Sequence, residues 1–192
     1  MQTNRKNASL LSVTVIVAAL GYFVDIYDLL LFGIIRIPSL KDMGLTASQI
    51  TTDGESILSW QMFGLMLGGI VWGIVGDKKG RSSVLFGSIL LYSLGNIANG
   101  FVQTVEQYRW IRFFAGIGLA GELGAGITLV AELLPKEKRG IGTSIVAGFG
   151  ITGAVVAFFV KENFHWRTCY FIGGGLGLDL LLLRVSVLES GM

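Results

Sequence analysis

One cysteine, two prolines and one histidine occur in 192 residues, and only 15% of the chain is charged. The single thiol, Cys169, cannot close an internal disulfide, and no cluster with metal-ligand spacing stands near it; it reads as a small buried apolar residue. His165 has no second ligand beside it and reads as a loop residue. A net charge of +2 supplies no basic field to hold nucleic acid. Soluble domains carry about 25% charged residues, so this surface could not be kept wet. With 52% of residues hydrophobic, disorder is excluded as well.

What is present is a series of long, charge-poor apolar windows. A helix crosses a hydrocarbon core of about 30 Å with roughly 20 residues. Membrane strands are excluded because they would alternate in segments of about 10 residues. The expected fold class is an all-α membrane protein, one six-helix transmembrane domain over residues 1–192. Its helices are expected at about 9–36, 55–76, 82–104, 107–134, 139–160 and 167–188. Arg5 and Lys6 precede an apolar run too long for the core of a signal peptide, so that run is taken as the first span. Residues 41–55 read as a polar loop, and Asp77–Arg81 and Pro135–Arg139 as tight turns. Pro38 and Pro135 are expected at helix ends, where a missing N–H costs least.

Basic residues divide unevenly between the two sides. Arg5, Lys6, Lys78, Lys79, Arg81, Lys136, Lys138 and Arg139 collect on one; Arg36, Lys41, Arg109, Lys161 and Arg167 collect on the other. The positive-inside rule then puts both termini in the cytoplasm of a plasma (inner) membrane. Trp60, Trp110, Trp166, Tyr108 and Tyr170 lie near span ends and read as an interfacial belt. Glycines recur on several helices, as at Gly64, Gly68, Gly69 and Gly73, or Gly148, Gly150 and Gly153, with Gly64/Gly68 and Gly69/Gly73 four apart. Small residues so spaced let helices approach closely where no water drives packing.

Charges within spans are expensive, which makes each a candidate functional residue. Asp25 and Asp28 are three apart on one face of the first helix, with Tyr22 one turn earlier. Two carboxylates buried together disfavour each other's ionisation, so at least one can carry a proton. Glu122 lies near the middle of the fourth helix, with Arg112 about 15 Å away along the same axis. An exchange of partners is expected: an acid of the first helix pairs with Arg112 when ionised and frees it when protonated. Asp179 is expected to pair with Arg184 as an interfacial anchor.

Four motifs in order resemble one family. Gly73-Ile-Val-Gly-Asp77-Lys78-Lys79-Gly80-Arg81 is similar to the cytoplasmic signature loop GxxxD(R/K)xGR of the major facilitator superfamily, although Ser82-Ser83 follows where the family often has Arg or Lys. Arg112-Phe-Phe-Ala-Gly116-Ile-Gly118 resembles its RxxxGxG element. Ala131-Glu132-Leu-Leu-Pro135-Lys-Glu-Lys-Arg139-Gly140 resembles the AExxPxxxRG stretch of its sugar porters, and Leu188-Glu189-Ser190 the end of helix six. Gly21-Tyr-Phe-Val-Asp25-Ile-Tyr-Asp28 is similar to a phosphate:proton symporter segment, and Gly121-Glu122 to metabolite:proton symporters.

The resemblance implies an N-terminal six-helix half built of two three-helix inverted repeats. It implies a secondary transporter, with proton-coupled symport of a small polar or anionic solute by alternating access. Facilitative uniport or antiport is the alternative, and a non-transporting membrane receptor or assembly subunit a further one. The expected roles are proton coupling for Asp28, Asp25 and Glu122, and substrate binding for Arg112, Tyr22 and Glu122. A cytoplasmic gate network is expected from Gly73, Asp77, Gly80, Arg81, Glu132 and Arg139. No cofactor or metal is expected, only a proton gradient. Family members have two such halves, so the expected partners are the solute, the bilayer and a missing C-terminal half, a second copy or a partner chain. No enzyme is expected, since no HExxH and no buried Ser/His pair occurs.

Overall fold

The structure, a computed structural model, describes residues 13–190. Six helices follow one another: α1 (Val13–Asp42), α2 (Ala47–Lys79), α3 (Arg81–Asn99), α4 (Val105–Leu133), α5 (Lys136–Asn163) and α6 (Trp166–Ser190). No strand occurs among the described residues.

Two boundaries differ from expectation. Pro38 lies inside α1, which runs on to Asp42 because Ser39 and Leu40 of its last turn are buried. Within the stretch read as a polar loop, α2 starts at Ala47. Thr46 and Gln49 form a capping box, in which the Thr46 N–H donates to Gln49 Oε1 at 3.0 Å. A cap satisfies the orphan donors of a first turn whatever its polarity, so apolar windows do not detect it. At the other end of α2, Gly80 alone connects to α3 with φ +84°, a conformation that favours glycine.

The packing repeats itself. Helix α1 lies mainly on α5 and α2 mainly on α4, while α3 lies on α4 and α6, and α6 also meets α1. Exchanging α1 with α4, α2 with α5 and α3 with α6 maps this set of contacts onto itself, as two repeats of three helices require.

Glycine makes the two principal pairings close. A Cβ at Gly64 or Gly68 of α2 would strike the carbonyls of Phe113 or Ile117 on α4; one at Gly153 of α5 would strike that of Phe23 on α1. Gly69 and Gly73, read from sequence as part of the same packing surface, have open space where a Cβ would be. They lie on the side of α2 turned away from the bundle, so among the described residues Gly73 brings no helix closer.

Four helices, α1, α2, α5 and α6, contain stretches long and apolar enough to cross a membrane among the described residues; the apolar stretch of α3, Ser83–Asn99, is shorter. Their outward flanks are apolar, with Ile70, Ile151 and Leu182 all more than half exposed. The expected aromatic belt divides in two. Trp60 and Trp110 pair with centroids 4.8 Å apart, and Trp110 is exposed. Tyr108, Tyr170 and Trp166 are instead core residues packed with Phe32, Ile35 and Leu40 of α1, because they sit on the inward faces of α4 and α6.

Candidate functional site: two buried charge clusters

The buried charged residues among those described gather into two groups. At the first, Arg112 of α4 is fully buried and reaches three helices at once. Its Nη1 donates to Asp28 Oδ1 at 3.4 Å and to Asn96 Oδ1 at 3.3 Å. Its Nε donates to Gln61 Oε1 at 3.3 Å, and its Nη2 to the Asp28 carbonyl at 3.4 Å. The guanidinium lies 5.7 Å from the centre of the Phe32 ring and 5.6 Å from that of Tyr170, a distance at which ring faces attract cations. Asp28 Oδ2 has no protein partner among the described residues.

In the second group, Arg184 of α6 holds Glu122 of α4 through both carboxylate oxygens, one of them at 2.9 Å. Gly21 of α1 makes room for this pair, since a Cβ there would lie 2.5 Å from Arg184 Nη2 and 2.7 Å from Glu122 Oε1. Asp25 stands one turn further along α1, 1% exposed, with Oδ1 unpartnered. Buried charges persist only when paired; the second cluster holds two acids and one cation.

The structure therefore joins Asp28 to Arg112 but gives Glu122 to Arg184. The expected Asp179–Arg184 anchor is not formed. Asp179 is exposed and Arg184 turns inward, because five helical residues separate the two by about 140° around the axis. Tyr22 stands apart from Arg112: it packs on Gly150 of α5 and joins the Val15, Ala18 and Val146 cluster.

At the Gly80 end, Asp77 is exposed, and the Arg139 Nε donates to the Leu134 carbonyl at 3.0 Å. The side chains of Arg81 and Glu132 lie outside the described residues. Sequence reasoning passed over Gln61, Asn96 and Tyr92, which carry no charge, and misread Arg184. Their signal was present in the three- and four-residue spacing of Tyr92, Asn96 and Asn99 within an apolar helix.

A six-helix bundle with apolar flanks and ion pairs sealed in its interior defines a multi-pass membrane protein. A family model for the Major Facilitator Superfamily matches residues 11–189, and the chain belongs to that family. The niacin transporter NiaP of Acinetobacter baylyi is 31% identical over 178 residues, 91% of this chain and 40% of that protein. The benzoate transport protein of the same organism is 31% identical over 187 residues, 93% of this chain and 39% of its own. In fold, the xylose transporter XylE from E. coli, in a partially occluded inward-open conformation, superposes with a TM-score of 0.78 at 20% identity, over 93% of this chain and half of that one. The chain spans about two fifths of the length of these curated relatives.

Proposed function

We propose that the chain is the first half of a proton-coupled symporter for a small organic acid. The observation that carries the reading is the buried Arg112–Asp28 pair between the Phe32 and Tyr170 rings. A guanidinium is a fork matched to one carboxylate at a time. With Asp28 ionised, it holds Arg112. Once Asp28 takes a proton, Arg112 is left with two neutral amides, and a solute carboxylate becomes its natural partner. A planar solute gains further from the flanking rings. Relatives named for transport of niacin, benzoate, 4-hydroxybenzoate and sialic acid, all carboxylic acids, support this solute class.

The coupling is thermodynamic: a proton and the anion each favour the same state, so each favours binding of the other. Asp25 and Glu122 belong to the same proton chemistry. Tyr22 lines the solute path on the α5 side. Gly73, Asp77, Gly80, Arg81, Glu132 and Arg139 form the cytoplasmic gate, both termini lie in the cytoplasm of the plasma membrane, and no cofactor takes part. The exposed flanks receive lipid and a second six-helix half.

The test is uptake of labelled benzoate and niacin into proteoliposomes holding the chain together with a second half taken from a relative such as NiaP. Uptake driven by an inward proton gradient and abolished by Asp28→Asn and Arg112→Ala is the expected result. Normal uptake by both variants would falsify the site. Uptake indifferent to the gradient points instead to facilitated transport, and no flux of any solute to a receptor or assembly subunit.

A further inference from the structure

Nine buried side-chain atoms have no hydrogen-bond partner among the described residues, and seven of them lie on two helices, α1 and α3. Five lie on α3: the Tyr92 hydroxyl, the Ser93 hydroxyl, the Asn96 amide nitrogen and both polar atoms of Asn99. The other two are Asp25 Oδ1 and Asp28 Oδ2 on α1. All four α3 residues are fully buried. Tyr92, Asn96 and Asn99 follow at intervals of four and three, so they form one stripe along the helix.

The stripe runs past both charge clusters. Asn96 shares Arg112 Nη1 with Asp28. Tyr92 shares a core cluster with Val24 of α1, the residue before Asp25, and packs against Gly118 of α4, one turn before Glu122. Ser93 lies against Gly177 of α6, where a Cβ would strike its hydroxyl. At the far end, Asn99 is the last residue of α3, two residues before exposed Phe101.

Buried polar groups in native proteins are almost always hydrogen-bonded, and where protein supplies no partner, water does. An unmade bond costs about 1–3 kcal/mol per group, too much to leave the four atoms of this stripe unmet. We propose that this stripe of α3 binds a file of water molecules that conducts protons between the Asn99 end of the bundle and Asp25. Tyr92 to Asn99 spans about 10 Å of helix axis, which three or four waters at hydrogen-bond spacing of about 2.8 Å would bridge.

Conduction is a relay. Each water accepts a proton on one side as it gives up another on the opposite side, and the Tyr92 hydroxyl does the same. The net change is one proton lost by bulk water at the Asn99 end and one O–H bond formed on the Asp25 carboxylate. The amides of Asn96 and Asn99 carry no proton and only hold the waters in line. The relay rests on the reading of Asp25 as a proton carrier; the water file does not.

Two measurements on the chain in lipid nanodiscs separate these. Hydroxyl-radical footprinting labels buried side chains that have a bound water beside them. Tyr92 should be labelled several-fold faster than Tyr27, which is equally buried but gives its hydroxyl to the Cys169 carbonyl at 3.0 Å. Equal labelling of the two tyrosines overturns the water file. Infrared difference spectra against Asp25→Asn identify the protonated Asp25 carboxyl, and its exchange in heavy water is then timed. Asn99→Leu and the milder Tyr92→Phe should each slow that exchange about tenfold, the loss expected from removing an ordered water bridge. Unchanged exchange in Tyr92→Phe, which removes one oxygen and keeps the ring, overturns the relay. If no carboxyl signal disappears in Asp25→Asn at any pH while Tyr92 is labelled, the water file stands and the proton-carrying role of Asp25 fails.

Discussion

Replacing Arg184 by alanine leaves Glu122 as an unpaired charge beside Asp25, whereas Glu122→Gln leaves only a neutral amide facing the cation. Breaking a buried pair from one side costs about 3–5 kcal/mol. We expect Arg184→Ala to fall in that range by thermal unfolding in detergent. The double variant Arg184→Ala/Glu122→Gln should be less destabilised than the sum of the two single changes, because the interaction is lost only once. Strictly additive losses would mean that the two side chains do not act as a pair. The charges themselves were legible as interruptions of apolar windows. Their partners were not, because pairing depends on which helix faces which. Glu122 and Arg184 are 62 residues apart, and no local spacing brings them together.

Among the helices, glycines with the same spacing divide by what faces them. Gly64→Ala and Gly153→Ala drive a methyl group into a neighbouring backbone carbonyl that cannot rotate away. Each should destabilise by about 1–3 kcal/mol. Gly69→Ala and Gly73→Ala meet open space and should be neutral, or up to about 1 kcal/mol stabilising from helix propensity alone. Unfolding midpoints of the four variants check this; a loss at Gly73 matching that at Gly64 would show that another chain packs there. Six helices could be read from hydropathy, because span length is set by the bilayer. The starts of α1's last turn and of α2 could not, since Ser39 and Leu40 are held by burial and Thr46 by a polar cap. Both are invisible to an apolar window.

For the molecule as a whole, the exchange of α1 with α4 and α2 with α5 leaves the outer flanks of α2 and α5 as counterparts, and both are apolar and exposed. A charge introduced there must enter lipid. Ile70→Lys or Ile151→Lys should reduce membrane insertion by about 2.5–3.5 kcal/mol on an insertion scale, measured by glycosylation mapping of the nascent chain. Insertion unaffected by either change would place that flank at an aqueous or protein-facing surface. The signature motifs carried the family in sequence, since loop chemistry at Gly80 is local. The repeat symmetry was implied by that resemblance and became visible only through the contacts.

The Gly80 connection bears on movement. A single residue allows its neighbours a separation of only about 7 Å between α-carbons, so α2 cannot slide along its axis without pulling the start of α3 with it. A slide of α2 past α4 would therefore carry with it Gln61 and, through α3, Asn96, the two amides that hold Arg112. If Arg112 binds the solute and the α3 stripe feeds protons, as proposed above, the hairpin would be a tap handle, one displacement acting on both.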